Sequence, residues 1–133
     1  MYVIDNTFTV TFTNATAAEK AKAIAKNCIS KSIKDFYNEK PEIPAFYIEQ
    51  DTILTFENPC FLSEDLLEAT KDAVLAIAQE IKNETFSFSA SGSDTYNSIN
   101  IEGKYKKGVL RLTSVLYEES ERKVKNKESI RVY

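Results

Sequence analysis

Between Thr85 and Tyr117 the chain alternates apolar and polar residues in three consecutive runs, a pattern that points to a β-meander. Phe86, Phe88 and Ala90 alternate with Thr85, Ser87 and Ser89. After a turn at Ser91-Gly92-Ser93-Asp94, Ile99 and Ile101 alternate with Ser98, Asn100 and Glu102. After Gly103-Lys104-Tyr105-Lys106-Lys107-Gly108, read as a second turn, Leu110, Leu112 and Leu116 alternate with Arg111, Thr113 and Val115. A period of two gives each strand one packed face and one wet face. Both turns are short enough to join antiparallel neighbours. Such a layer needs a lid on its apolar side, and two amphipathic segments upstream supply candidates.

The first strand is Thr7 to Thr13, with Phe8, Val10 and Phe12 set against four threonines. Asn14 or Thr16 then caps a helix from about Ala17 to Asn38. Its apolar stripe runs through Ala21, Ile24, Ala25, Cys28, Ile29, Ile33 and Phe36, and the alanines suit close approach to a sheet. Pro41 and Pro44 end it. Ala45–Gln50 and Thr52–Phe56 alternate across a short link and read as a hairpin. Ser63 is the expected N-cap of a second helix, which runs to about Asn83 with Glu64 and Asp65 in its first turn. The order β-α-β-β-α-β-β-β predicts an α+β fold: a ferredoxin-like split β-α-β core extended by two strands. The two helices would pack on one face of a mainly antiparallel sheet. Residues 1–119 form the single expected domain. Residues 120–133 read as a charged C-terminal tail, partly disordered or ending in a short edge strand over Ser129–Tyr133.

Histidine is absent from all 133 residues, which removes the commonest general base and metal ligand. Nucleophiles activated by histidine are excluded with it. Cys28 and Cys60 lie near nothing that suggests a redox pair or a metal site, so both read as buried reduced thiols. No apolar run spans a bilayer and no secretory leader is visible at Met1–Asp5, so the expected location is cytoplasmic, away from membranes. No phosphate-binding glycine loop occurs, and no cofactor is expected.

Charge is the feature that rises above background. Residues 42–102 carry 12 acids and two bases, whereas residues 1–41 carry four acids and six bases and residues 103–133 four acids and nine bases. Within the acidic centre Glu64, Glu68 and Asp72 recur every fourth residue on one helix face, with Asp65 beside them. These four are the expected partner-binding residues, and a negative surface of this kind steers toward a basic protein. Asp65 and Glu68 alone are too few ligands for a metal site. The expected function is a small non-catalytic protein-binding module, inhibitor- or immunity-like, a class that includes nucleic-acid mimics.

Two alternatives accompany that reading. One is a small-molecule-sensing regulatory domain acting as a dimer, with the threonine- and serine-rich sheet face as the homodimer surface. The other is nucleic-acid binding by Lys104, Lys106 and Lys107 around Tyr105, together with Arg122, Lys123, Lys125 and Lys127. Nucleic acid is disfavoured, because no Lys/Arg-Gly-aromatic strand signature is present.

Overall fold

The computed structural model describes residues 5–37, 45–57, 61–95, 97–118 and 123–132. They form β1 (Asp5–Phe12), α1 (Ala15–Tyr37), β2 (Ala45–Glu49), β3 (Ile53–Glu57), α2 (Ser63–Glu80), β4 (Phe86–Ser93), β5 (Asn97–Lys106), β6 (Val109–Glu118) and β7 (Lys123–Arg131). The strands make one seven-stranded sheet in the order β2-β3-β1-β4-β5-β6-β7, with every neighbouring pair antiparallel. The fold is therefore α+β. Both helices join the same core as the inward-facing strand residues, so they roof one side of the sheet.

Register explains the core. Phe46, Phe56, Phe8, Ala90 and Ile101 stand opposite one another on successive strands, and Phe12, Phe86, Tyr105, Leu110 and Ile130 make a second such row. Rings pack along these rows: Phe46 on Phe56 at 5.3 Å, Phe8 on Phe56 at 5.9 Å, Phe86 on Tyr105 at 5.2 Å. Cross-strand aromatic pairs of this kind stabilise a sheet beyond their buried area. Above them α1 presents buried Ala17, Ala18, Ala21 and Ala25, and the small side chains let its backbone approach. Asn14 caps α1, its side-chain oxygen accepting the Ala17 N–H at 2.8 Å.

Two hairpins close with tight turns, residues 50–52 between β2 and β3 and residues 107–108 between β5 and β6, each with two successive residues at positive φ. These are Gln50 and Asp51 (51° and 62°), and Lys107 and Gly108 (50° and 79°). Positive φ at both positions is the type I′ arrangement, whose twist matches that of the flanking strands.

Besides the turn read at Ser91–Asp94, whose first three residues extend β4, four expectations are corrected. The segment Gly103–Lys106 belongs to β5, and only Lys107 and Gly108 turn the chain. Tyr105 is consequently fully buried and donates its hydroxyl to the Lys82 carbonyl at 2.9 Å; it is no exposed ring among lysines. Ser63 is not the cap of α2: Leu62 holds that position without a side-chain bond, and the buried Ser63 hydroxyl donates to the Asn97 carbonyl. The cap comes from the β4–β5 turn instead, where Asp94 accepts the Ser63 N–H at 2.9 Å and the Asn97 N–H at 2.8 Å.

The fourth concerns the tail. Within the stretch read as a charged tail, nine residues form β7, paired to β6 from Val109↔Arg131 to Tyr117↔Lys123. Its inward residues keep the period through Val124 and Ile130, but Asn126 and Glu128 interrupt the apolar pattern. Glu128 lies where the roof thins out. It accepts a hydrogen bond from Lys71 of α2 at 3.3 Å, with its other oxygen 3.2 Å from the same ammonium. Burial pulls the Lys71 pKa down, but the bond and charge of Glu128 and the charge of Glu68 outweigh it, so the net shift is upward.

Candidate functional site

The four acids singled out from the sequence all lie on α2. Glu64, Glu68 and Asp72 are exposed and Asp65 is half-buried. Their helix is held at its N-terminal end by Asp94 and by Asn6 of β1. Asn6 is buried and clamps Phe61 through both backbone groups, at 2.6 Å and 3.3 Å. The acids are thus displayed from a fixed frame.

They are not equally free. Glu68 lies 3.6 Å from Lys71, which also pairs with Glu128. Asp72 faces the charges of Lys31 and Asp35 on α1. Burial pushes its carboxyl above the usual range, Glu68 and Asp35 add to the rise, and Lys31 and Lys71 offset part of it. The same surface carries two apolar groups that sequence reasoning assigned to no site. Phe36 is 38% exposed, Leu62 is 37% exposed, and Phe36 packs edge-on against Phe61 at 6.2 Å.

The opposite side of the sheet has no helix over it among the described residues. Thr7, Thr11, Ser87, Ser89 and Asn100 are exposed there, as the alternation implied. The unexpected feature is charge. Lys104 and Lys106 of β5, Arg111 of β6, and Lys123, Lys125 and Lys127 of β7 all point to this face. Glu102 is the one acid that these three strands turn to this face among the described residues, Glu118 and Glu128 lying on the other parity. At the other edge stand Glu49, Glu57 and Tyr47. The Tyr47 hydroxyl donates to Glu57 at 2.9 Å, and that bond chiefly pushes its pKa up to about 12.

A hollow of about 430 Å³ lies in the middle of this uncovered face, lined by Thr11, Ser87, Glu102, Lys104, Arg111 and Thr113 among others. A second, of about 330 Å³, shares Ser89, Glu102 and Thr113 with it and extends toward Asn100. Lys104 and Arg111 stand directly opposite each other in the β5–β6 ladder.

Cys28 is half-buried against the core, and burial pushes its thiol pKa up. Cys60 lies outside the described residues. Among the described residues no group of three or more Cys, Asp or Glu could hold a metal ion, and no helix is long and apolar enough to cross a membrane. No protein-family model, no curated protein and no solved structure matches this chain.

Proposed function

We propose that this chain is a non-catalytic protein-binding module that offers the α2 carboxylates to a basic protein partner. The observation that carries the reading is the row of exposed Glu64, Glu68 and Asp72 on a helix whose start is fixed by Asp94 and Asn6. A preformed charge display steers encounter and costs little ordering on binding. Phe36 and Leu62, exposed near the start of the row, add what acids alone lack: apolar side chains that a partner can desolvate. Burial is the main cause of the upward shift at Asp72; the Glu68 charge adds to it, and a cationic partner would offset that part.

Within this proposal the first six elements are a ferredoxin-like core. The order β2-β3-β1-β4, with β1 and β3 at its centre, supports that reading, and β5–β7 extend it at one edge. The partner is met in the cytoplasm, where free Cys28 stays reduced.

Lysine replacement of Glu64 and Asp72 together tests the reading. Glu68 is left in place because it pairs with Lys71. The wild-type chain should retain a basic protein from the native lysate at physiological salt, and the double variant, with an unchanged melting profile, should lose it. Retention of every partner by the folded variant would remove α2 as the binding surface.

A further inference from the structure

We propose that the hollow on the uncovered sheet face binds a small phosphate ester, its phosphate held between Lys104 and Arg111. This site lies across the sheet from α2 and does not depend on the reading given for that helix.

Directly opposite residues on antiparallel strands have Cα atoms about 4.5–5.5 Å apart, and like charges so placed destabilise the ladder. Lys104 and Arg111 are such a pair, and among the described residues neither makes an ion pair. The sheet therefore holds two cations side by side with no ion pair to either among the described residues, Glu102 being the nearest acid on the same face. A dianion between them relieves the repulsion and takes up the donors of both side chains, the guanidinium fork suiting phosphate oxygens in particular. Ser87 stands next to Lys104 in the ladder and Thr11 next to Ser87, so hydroxyl donors continue the same row into the hollow.

Glu102 decides the kind of ligand. It is exposed on the same face two residues before Lys104, about 7 Å along the strand, where the two hollows meet. A carboxylate there repels a continuous polyanion but accepts hydrogen bonds from a hydroxyl or amino group. The ligand class that satisfies both ends is a small molecule with a phosphate at one end and a hydrogen-bond donor a few bonds away. Nucleic-acid backbone, with a charge at every step, fits the Lys104–Arg111 pair but not Glu102.

The test uses the whole chain at constant ionic strength, with inorganic phosphate and glycerol 3-phosphate as small probes and a 12-nucleotide single strand as the macromolecular one. Calorimetric titration should show glycerol 3-phosphate binding more tightly than phosphate, with both raising the melting temperature. Lys104→Gln with Arg111→Gln should abolish both effects and, without ligand, should melt no lower than wild type because the repulsion is gone. Lys125→Gln, on the same face but outside both hollows, should bind as wild type does, which separates a site from general charge. Glu102→Gln should narrow the gap between the two small probes. Absence of binding, or equal binding by the double variant, would overturn the proposal. Tighter binding of the oligonucleotide, weakened as much by Lys125→Gln as by the double change, would overturn it in favour of a nucleic-acid surface.

Discussion

Gly103→Ala is the sharpest single-atom perturbation the sheet allows. A Cβ at this position would lie 2.3 Å from the Arg111 carbonyl oxygen, 2.3 Å from Phe88 Cζ and 2.8 Å from Phe88 Cε1. Gly103 sits between Phe88 and Leu112 in the ladder, on the side that faces the helices, and the Phe88 ring occupies the space a side chain would need. The ring can swing, but the carbonyl belongs to β6, which is paired on both sides. Overpacking of this sort costs about 3 kcal/mol at the upper end of its usual range. Replacing a strand glycine returns about 0.5–1 kcal/mol of backbone entropy, leaving a net loss of about 2 kcal/mol. With an unfolding entropy of about 2.1 cal/mol/K per residue over 133 residues, that loss lowers Tm by about 7 °C. Urea denaturation followed by circular dichroism measures it. Gly108→Ala is the control, because there a Cβ would meet only the Val132 carbonyl at 3.5 Å and the cost is that of positive φ alone. Adding Phe88→Leu to Gly103→Ala should recover less than half the loss, since the carbonyl contact remains. A Gly103→Ala variant within about 0.5 kcal/mol of wild type, the range of an ordinary surface change, would refute the packing described for β4, β5 and β6.

Two further outcomes follow from the polar frame of α2. Asp94→Ala removes the acceptor for the Ser63 and Asn97 N–H groups and should cost about 1–2 kcal/mol in the same denaturation assay, as for a lost helix cap. Asp72→Asn should stabilise by about 0.3–0.5 kcal/mol at pH 7. The sign follows from the raised pKa: the folded state holds the proton more tightly, so ionised Asp72 destabilises it above the folded pKa, and the penalty fades as pH falls through that value. The gain from Asp72→Asn should therefore shrink on acidification, and a gain that grows instead would contradict the shift.

How much was legible depended on where the period could be seen. β1, β4 and both helices show it in their apolar residues, and their limits fall within a few residues of the reading. β7 hides it, because two of its inward positions are Asn126 and Glu128, the latter useful only once Lys71 is known to lie above it. Gly103 and the neighbouring lysines imitated a turn, although the inward alternation Ile99, Ile101, Gly103, Tyr105 continues straight through them. The α2 cap was misassigned because its acceptor, Asp94, is 31 residues away. The acids of α2 stood out because a helix gathers residues four apart. The bases of the uncovered face did not, being split between β5, β6 and β7. Only the register brings Lys104 beside Arg111.

The fold has one roofed and one open side of the sheet, the open side being what the phosphate site requires, and the rate at which single cysteines react with a maleimide reports this directly. In a background with Cys28 and Cys60 replaced by alanine, cysteines at Thr11, Ser89 and Asn100 should react nearly as fast as a free peptide thiol. Cysteines at Ala73 and Ala90, both buried, should be protected by orders of magnitude. Equal protection at all five positions would mean that the hydroxyl-lined face is covered, by a second copy or by another part of the chain, and would contradict the one-sided roof and the phosphate site that depends on it.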